Sequence, residues 1–220
     1  RPIACTDLNI LQEGEMRLEF VQGLHPQAST SGLNPAKTLP FDIRRTSVGR
    51  LAIGGLQATV NFVEKDVSDL GADASRFVDR SWSSDLTKWL NLTVTGHTAS
   101  SITVFGLARQ PMSANDSYND FLIGEPLASQ LVATLPGETY VSGSGKTGAA
   151  SVQTAGAAFD LKLSAVDLFG VVDASYSGAK TISYSGPGHA PNGQAPVYTT
   201  DVTFSSGQAL AATTLKRAET

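Results

Sequence analysis

Charged residues and cysteine are both scarce in this sequence, and each scarcity excludes a class of protein. Charged residues make up 16% of the 220 residues, the net charge is −4, and the densest basic cluster is the pair Arg44-Arg45. Nucleic-acid binding needs a clustered basic surface, so we expect no nucleic-acid partner. The one cysteine, Cys5, can form no internal disulfide and excludes cysteine-based zinc sites. We predict a buried or half-buried Cys5 in a first strand, with pairing between two chains as the alternative.

Long apolar runs are also absent. The longest are only a few residues, although hydrophobic residues make up 41% of the chain. We therefore predict no transmembrane helix, no signal-peptide core and no membrane insertion. The chain begins at Arg1 without a methionine, which we interpret as processing or a chosen start.

The main positive signal is an alternation of apolar and polar residues. In FDLKLSAVDL, residues 159–168, Phe159, Leu161, Leu163 and Ala165 alternate with polar residues. Successive side chains of a strand point to opposite faces, so this stretch predicts a strand with one apolar and one wet face. Similar short runs, cut by Gly, Pro, Asn and Ser, recur along the chain. They predict an all-β protein of two β-sandwich domains, with less than about a fifth of the residues helical.

The composition divides the chain into two predicted domains. Residues 1–136 are predicted to form a β-sandwich of unrecognised family, with a hairpin turn at Gly54-Gly55. The alternation after this turn predicts a strand whose Leu56, Ala58, Val60 and Phe62 face inward. Within it, residues 64–85 fit a short helix and a structured loop equally well. Residues 137–150 are rich in Gly, Ser and Thr and are predicted to be a linker. Residues 151–220 form the second predicted sandwich.

The last third of the chain carries several motifs together. They are QTAG before Phe159, the AVDLFG run from Ala165 to Gly170, SYSGAKTI, SGPGHAPNGQAPVY and the final TLKRAET. This combination resembles an immunoglobulin-like repeat of large secreted and surface-anchored bacterial proteins. The resemblance implies an immunoglobulin-like fold, an extracellular or cell-surface location and no catalytic residues. Independently, Asp167 and Gly170 suit a turn at Phe169, since Asp can bond its own backbone and Gly can take a positive φ.

No catalytic, cofactor-binding or metal-binding motif is complete, so we predict a protein that is not an enzyme and has no such site residues. The segment SGSGKTG, 142–148, lacks P-loop spacing because Tyr140 stands where a glycine is required, and it is predicted to be flexible. No serine lies in a G-x-S-x-G elbow. His25, His97 and His189 lie in separate loop-like stretches and are predicted to be solvated. A metal site or a catalytic base is the alternative.

Two acidic groups are weak candidates for calcium. Asp66, Asp69 and Asp73 are spaced three and four residues apart, which favours a solvated acidic face over a calcium loop with alternating ligands. Asp116 and Asp120 are a second, weaker candidate. The glycosylation sequons at Asn91 and Asn115 are short enough to occur by chance.

Trp82 and Trp89 are the strongest aromatic features. Large aromatic residues dominate cores, so we predict that both are buried. Exposed, they would instead offer flat platforms for sugar rings, as in carbohydrate-binding modules.

Three interpretations of function remain open. The first is an extracellular structural or adhesive module of a bacterial surface or secreted protein, acting as a self-assembling subunit. The second is a carbohydrate-binding module of a secreted enzyme, with a polysaccharide as partner. The third is an enzyme whose site is assembled from scattered Asp residues.

The assembly hypothesis rests on strand number. We count about five or six strand-like runs in residues 151–220, where an immunoglobulin-like sandwich has seven. Ala209, Ala211, Thr213 and Leu215 share one face, which a further strand would cover. We hypothesise that residues 1–10 of a neighbouring copy fill this gap by strand addition, which gives a homo-oligomer. The alternative is a cut in the chain that leaves a tolerated gap.

Overall fold

The computed structural model describes residues 2–84, 86–105, 119–186 and 188–217, without the side chains of 7–12, 47–56 and 119. The fold is nearly all β: 54% of it is strand, arranged in several antiparallel sheets, and 7% is helix. The predicted all-β class and low helix content are therefore confirmed. The chain divides into two compact units, Arg1–Pro126 and Leu127–Thr220.

The first unit is built on one large antiparallel sheet. The elements of this unit are β1 (Ile3–Gln22), a 3₁₀ helix (Ala28–Thr30), β2 (Leu33–Thr38), β3 (Phe41–Asn61), α1 (Glu64–Asp69), a second 3₁₀ helix (Ala74–Arg76), β4 (Val78–Ser83), β5 (Lys88–Asn91), β6 (Thr93–Thr98), β7 (Ser101–Phe105) and β8 (Asn119–Pro126). The eight strands form the sheet in the order β5-β4-β8-β3-β7-β6, with β1 paired to β3 and β2 paired to β8. Residues 64–85 thus include the short helix that was one of two predicted forms.

The long strand β3 is continuous, so the hairpin predicted at Gly54-Gly55 is wrong. β3 pairs with β1 from Phe41 to Val60, and register shifts in β1 between Thr6 and Gly14 accommodate the glycine-rich part. The apolar runs on both sides of the glycines pair with the same partner strand, so the chain has no need to turn between them.

Apolar residues from both halves of this unit form a single core. The predicted inward orientation is confirmed for Ala58, Val60 and Phe62, since each is at most 5% exposed, while the side chain of Leu56 lies outside the described part. Fully burying a Val or Phe side chain contributes roughly 1.5–3 kcal/mol, so the cluster is a main source of stability. The other buried members are Leu39, Phe41, Ile43, Val67, Ala74, Phe77, Ile102, Val104, Phe121 and Ile123.

The second unit contains three small antiparallel sheets. One has four strands in the order β14-β16-β12-β9, one pairs β13 with β15, and one pairs β10 with β11. The strands are β9 (Gln130–Thr134), β10 (Glu138–Val141), β11 (Gly145–Gly148), β12 (Ala158–Val166), β13 (Gly178–Thr181), β14 (Val197–Tyr198), β15 (Asp201–Phe204) and β16 (Gln208–Thr214).

The division between the units differs from the predicted one. The second unit begins at Leu127, and its strand β9 pairs with β12. Residues 137–150, predicted to be a flexible linker, contain the β10–β11 hairpin, in which Lys146 Nζ lies 3.1 Å from Glu138 Oε2. Gly143 and Gly145 have positive φ at this turn, so the small residues serve a tight hairpin.

Strand β12 follows the predicted alternation only in part. Leu163 and Ala165 lie in the core with Val202 and Phe204, as expected. The opposite face is not wet, however, because Ser164 is 0% exposed in the second half of the strand. β12 is a central strand with β16 and β9 on its two edges, and the unit covers both faces of this half.

The turn after β12 is the one that its residue types predict. Asp167 Oδ1 accepts hydrogen bonds from the backbone N–H groups of Phe169 and Val171, at 2.8 and 2.9 Å. Gly170 has φ +77°. The prediction for Asp167 and Gly170 is confirmed.

Candidate functional site

The two tryptophans of the first unit meet at His25. The ring centroid of His25 lies 5.2 Å from that of Trp82 and 5.2 Å from that of Trp89, and the two indoles are 5.4 Å apart. Trp82 and Trp89 form a cross-strand pair on β4 and β5. Trp89 is buried, as predicted, whereas Trp82 is half-buried.

Both nitrogens of His25 are occupied. Nδ1 accepts a hydrogen bond from the backbone N–H of Gln27 at 3.1 Å, so the proton of the neutral ring is on Nε2, which lies 3.2 Å from Asp120 Oδ2. Burial lowers the pKa of His25, against the opposing attraction of Asp120, and Arg44 lowers it further. The solvated histidine predicted at this position is therefore wrong, since only 9% of the side chain is exposed.

Charged groups extend this cluster along β3 and β8. Arg44 and Asp120 are cross-strand neighbours, and Arg44 Nε donates to Asp120 Oδ1 at 3.3 Å. Asp42, two residues earlier on β3, is 3% exposed. Burial, followed by the negative charge of Asp120, raises the pKa of Asp42 to about 7.

This aromatic and charged cluster attaches the connection between β1 and β2 to the sheet. Trp89 Nε1 donates to the carbonyl of Gln27 in this connection at 2.9 Å, and His25 in the same connection pairs with Asp120 on β8. His25 uses both nitrogens within the fold, so the His25–Asp120 pair has no free nitrogen for general acid–base catalysis.

A groove of about 570 Å³ on the same unit is the best candidate for a binding site. It lies between α1, the second 3₁₀ helix and the end of β6, and Val67 and Ala74 are its buried members. A volume of this size falls in the range of small-molecule sites. The lining residues are Glu64, Val67, Ser68, Ala72, Asp73, Ala74, Ser75, His97, Thr98 and Ala99.

The polar groups of this groove are fixed by hydrogen bonds. Asp73 Oδ1 accepts from the hydroxyl of Ser75 at 2.6 Å and from its backbone N–H at 3.0 Å, which lowers the pKa of Asp73. The Asp73 N–H donates to Glu125 Oε1 at 2.7 Å, so the buried Glu125 holds this wall of the groove. His97 Nε2 lies 2.7 Å from the Phe77 carbonyl.

The acidic residues predicted as a calcium alternative do not converge. Asp66 accepts from the backbone of Val63, Asp69 binds Lys65, and Asp73 binds Ser75. No group of three metal-binding side chains occurs among the described residues. Asp116 lies outside the described residues, while its predicted partner Asp120 belongs to the His25 cluster.

The remaining sequence candidates are dispersed. Cys5 is in β1 as predicted but is exposed, so its predicted burial is wrong. The side chain of Asn91, in one sequon, accepts a hydrogen bond from Arg80. Asn115, in the other, lies outside the described residues. His97 is exposed, as predicted, but lies on the strand β6 of the first unit, and His189 is exposed in the second unit.

Sequence reasoning named members of both sites but grouped neither. His25, Asp120, Trp82 and Trp89 were each considered for separate reasons, because His25 and Asp120 are 95 residues apart and lie in no recognisable motif. In the groove, Asp73 and His97 were considered as possible metal ligands, whereas Glu64, Ser68 and Ser75 are ordinary surface residue types with no diagnostic spacing.

Comparison with protein-family models, curated proteins and solved structures found no match. In the part of the chain that the structure describes, no helix has the length and apolar character needed to cross a membrane.

Proposed function

We propose that this chain is an extracellular structural or adhesive module of a bacterial surface or secreted protein, and that it assembles with other chains by strand addition. The support is the division into two all-β units, each with its own apolar core. The ionisable groups of the buried cluster bond to each other and to the backbone, which suits a structural role. An immunoglobulin-like identity of the second unit is part of this proposal.

The face of β16 predicted to be uncovered is buried, since Ala209, Ala211 and Thr213 are at most 7% exposed. The strand count also needs correction, because β9–β11 bring the described part of the unit to eight strands.

An apolar strip is instead uncovered on β9, and it carries the proposal. On β9, Leu131 pairs with Ala165 and Ala133 pairs with Leu163, and cross-strand partners share a face of the sheet. Ala165 and Leu163 are at most 4% exposed, yet Leu131 is 45% exposed. The core therefore continues onto β9 without a cover.

The strip arises because the two facing sheets differ in width. The sheet of β9 and β12 has four strands, while the sheet that supplies Val202 and Phe204 to the same core has two. Among the described residues, β13 pairs only with β15, so its other edge is open to a further strand. An added strand there would bond to the β13 backbone and cover Leu131.

The strand donor predicted from sequence needs correction. Residues 3–10 belong to β1 and pair with β3 of their own unit, starting with Ile3 opposite Val60. This segment is already held in the first unit, so the donor must be a different extended segment of the neighbouring chain.

The test is the mass of the chain in solution. Light scattering over a range of concentrations is expected to show mass above the 23.0 kDa of one chain. Leu131→Lys places a charge on the strip and is expected to restore the monomer. Leu210→Lys is the matched control, because Leu210 is 63% exposed on β16 and alternates with its core residues. A monomer at every concentration, or equal effects of both variants, would contradict assembly through the strip.

Carbohydrate binding is the second candidate function, and the groove of the first unit favours it. Hydroxyl, carboxylate and imidazole groups line this groove, and such groups bond to sugar hydroxyls. The half-buried Trp82 and the buried Trp89 are engaged with His25, so they do not form the aromatic platform considered from sequence. Titration of the chain against a glycan panel tests this candidate, and the absence of any saturable binding would exclude it.

A further inference from the structure

The groove between α1 and the end of β6 presents hydrogen-bond acceptors and has used most of its side-chain donors. Ser68 donates its hydroxyl hydrogen to the Lys65 carbonyl at 3.1 Å, and Ser75 donates its own to Asp73 Oδ1 at 2.6 Å. A hydroxyl that donates inward still has lone pairs to offer. Both serines therefore present oxygen acceptors to a ligand.

His97 has the same character. Its Nε2 lies 2.7 Å from the Phe77 carbonyl, and a carbonyl oxygen can only accept, so Nε2 carries the hydrogen. In the neutral ring Nδ1 is then an acceptor. The neutral imidazole thus adds a third hydrogen-bond acceptor to the groove, and its one N–H group is already bonded to the Phe77 carbonyl.

Two carboxylates line the groove, those of Glu64 and Asp73, and none of the lining residues is Lys or Arg. The Glu64 carboxylate makes no hydrogen bond or ion pair with any described residue. Asp73 is held ionised by Ser75, and its contact with Arg76 Nε, at 3.4 Å, is between side chains that are 48% and 38% exposed. An exposed pair of this kind is weak and leaves Asp73 able to attract a second cation.

From this balance we infer that the groove binds an oligosaccharide of protonated amino sugars, such as glucosamine units. The inference rests on carbohydrate binding as the second candidate function and names its ligand class. A primary ammonium has three donors and no acceptor, which complements a surface of carboxylates and hydroxyl oxygens. The ring hydroxyls of the sugar supply further donors, and a groove of about 570 Å³ has room for more than an isolated ion.

A matched pair of probes tests the ligand class. The full chain is titrated by calorimetry with the tetramer of glucosamine and, separately, with the tetramer of N-acetylglucosamine, at a pH where the free amines are protonated. The two probes share a skeleton, and acetylation removes the charge and two of the three ammonium hydrogens. We expect the glucosamine tetramer to bind at least about tenfold more tightly, the effect of one charge-assisted hydrogen bond, and to weaken as salt is added.

Variants of the chain test the location. Glu64→Gln keeps the shape of the side chain and removes its charge, so binding of the glucosamine tetramer should weaken roughly fivefold to tenfold. Glu15→Gln is the control, because Glu15 is an exposed carboxylate on β1 that does not line the groove. Ser68→Ala should weaken binding by a smaller factor, with unchanged circular dichroism for all three variants.

The outcomes separate this inference from the function on which it rests. Equal binding of the two tetramers, or no effect of Glu64→Gln, overturns the amino-sugar site but leaves carbohydrate binding standing. Saturable binding of neutral glycans alone also overturns it. Failure of every glycan in the panel removes both the site and the second candidate function.

Discussion

Asp79 is the residue at which the stability of the first unit should depend most directly on pH. It lies on β4, is 1% exposed, and lines a small cavity whose other walls are apolar: Ile3, Leu18, Ile43, Ala58, Val60, Val104 and Phe121. Its Oδ1 atom has no hydrogen-bond partner among the described residues. An ionised carboxylate is costly in such surroundings, and burial raises the pKa of Asp79 from 3.8 to about 7, against the opposing charge of Arg80.

The size of the effect follows from the difference in pKa between the folded and unfolded chains. The folded pKa is the higher one, so stability is greatest below the unfolded value of 3.8 and falls as the pH rises to about 7. At about 1.4 kcal/mol for each pKa unit, the ionisation of Asp79 costs about 4 kcal/mol above the folded pKa. About 3 kcal/mol of this loss should occur between about pH 5 and about pH 8.

Asp79→Asn removes the ionisation without changing the shape of the side chain. We expect its advantage over the natural chain to grow by about 3 kcal/mol between about pH 5 and about pH 8. Urea unfolding followed by tryptophan fluorescence measures it, because both tryptophans lie in the first unit. Asp42, whose pKa is also about 7, titrates in both proteins, so its contribution cancels in the comparison.

A second variant controls for any effect on stability of the amide that Asp79→Asn introduces. Asp79→Val has no polar group to leave unpaired, so its overall stability will differ from that of Asp79→Asn. The growth of its advantage with pH should be the same, because both variants lack the same ionisation. An advantage that stays constant from about pH 5 to about pH 8, in either variant, would refute the reasoning.

Two further predictions concern the turn after β12 and the close approach of two strands. Asp167→Ala leaves the partly buried N–H groups of Phe169 and Val171 without their charged acceptor. We expect a loss of about 3 kcal/mol in the second unit, measured by urea unfolding followed by circular dichroism, and a loss below about 1 kcal/mol would contradict this role. Gly124→Ala places a Cβ 2.8 Å from Thr38 Cα and should destabilise the first unit by about 1–3 kcal/mol, measured by urea unfolding followed by tryptophan fluorescence. Gly96→Ala is its control, since that Cβ would come no closer than 3.8 Å to its neighbour, and equal losses in the two variants would show that steric contact is not the cause.

Sequence reasoning succeeded where the signal is local. The alternation at Ala58, Val60 and Phe62 depends only on the period of a strand, and the structure buries all three. The turn at Asp167 likewise depends on a side chain bonding its own backbone a few residues on. Such features need no knowledge of distant partners.

It failed where a distant partner decides the outcome. Gly54-Gly55 favours a turn locally, yet both flanking runs pair with β1, about 45 residues earlier in the chain. The linker composition of 137–150 gave no sign that Tyr140 would donate to the Gly170 carbonyl at 2.7 Å and fix the hairpin to the unit. His25 looked like a loop residue because three of its partners, Trp82, Trp89 and Asp120, come much later in the chain.

Glu125 links the shape of the groove to the order in which the chain is synthesised. Its carboxylate is 1% exposed, receives the Asp73 N–H on one oxygen, and binds Lys37 Nζ on the other at 3.1 Å. These contacts span 52 and 88 residues of chain, and β8, which carries Glu125, is the last strand of its unit. During synthesis, the segments that line the groove therefore emerge long before the residue that holds Asp73 in place. A nascent chain should complete this groove only after β8 has paired, so the ligand proposed for the groove would recognise completed molecules and ignore unfinished ones.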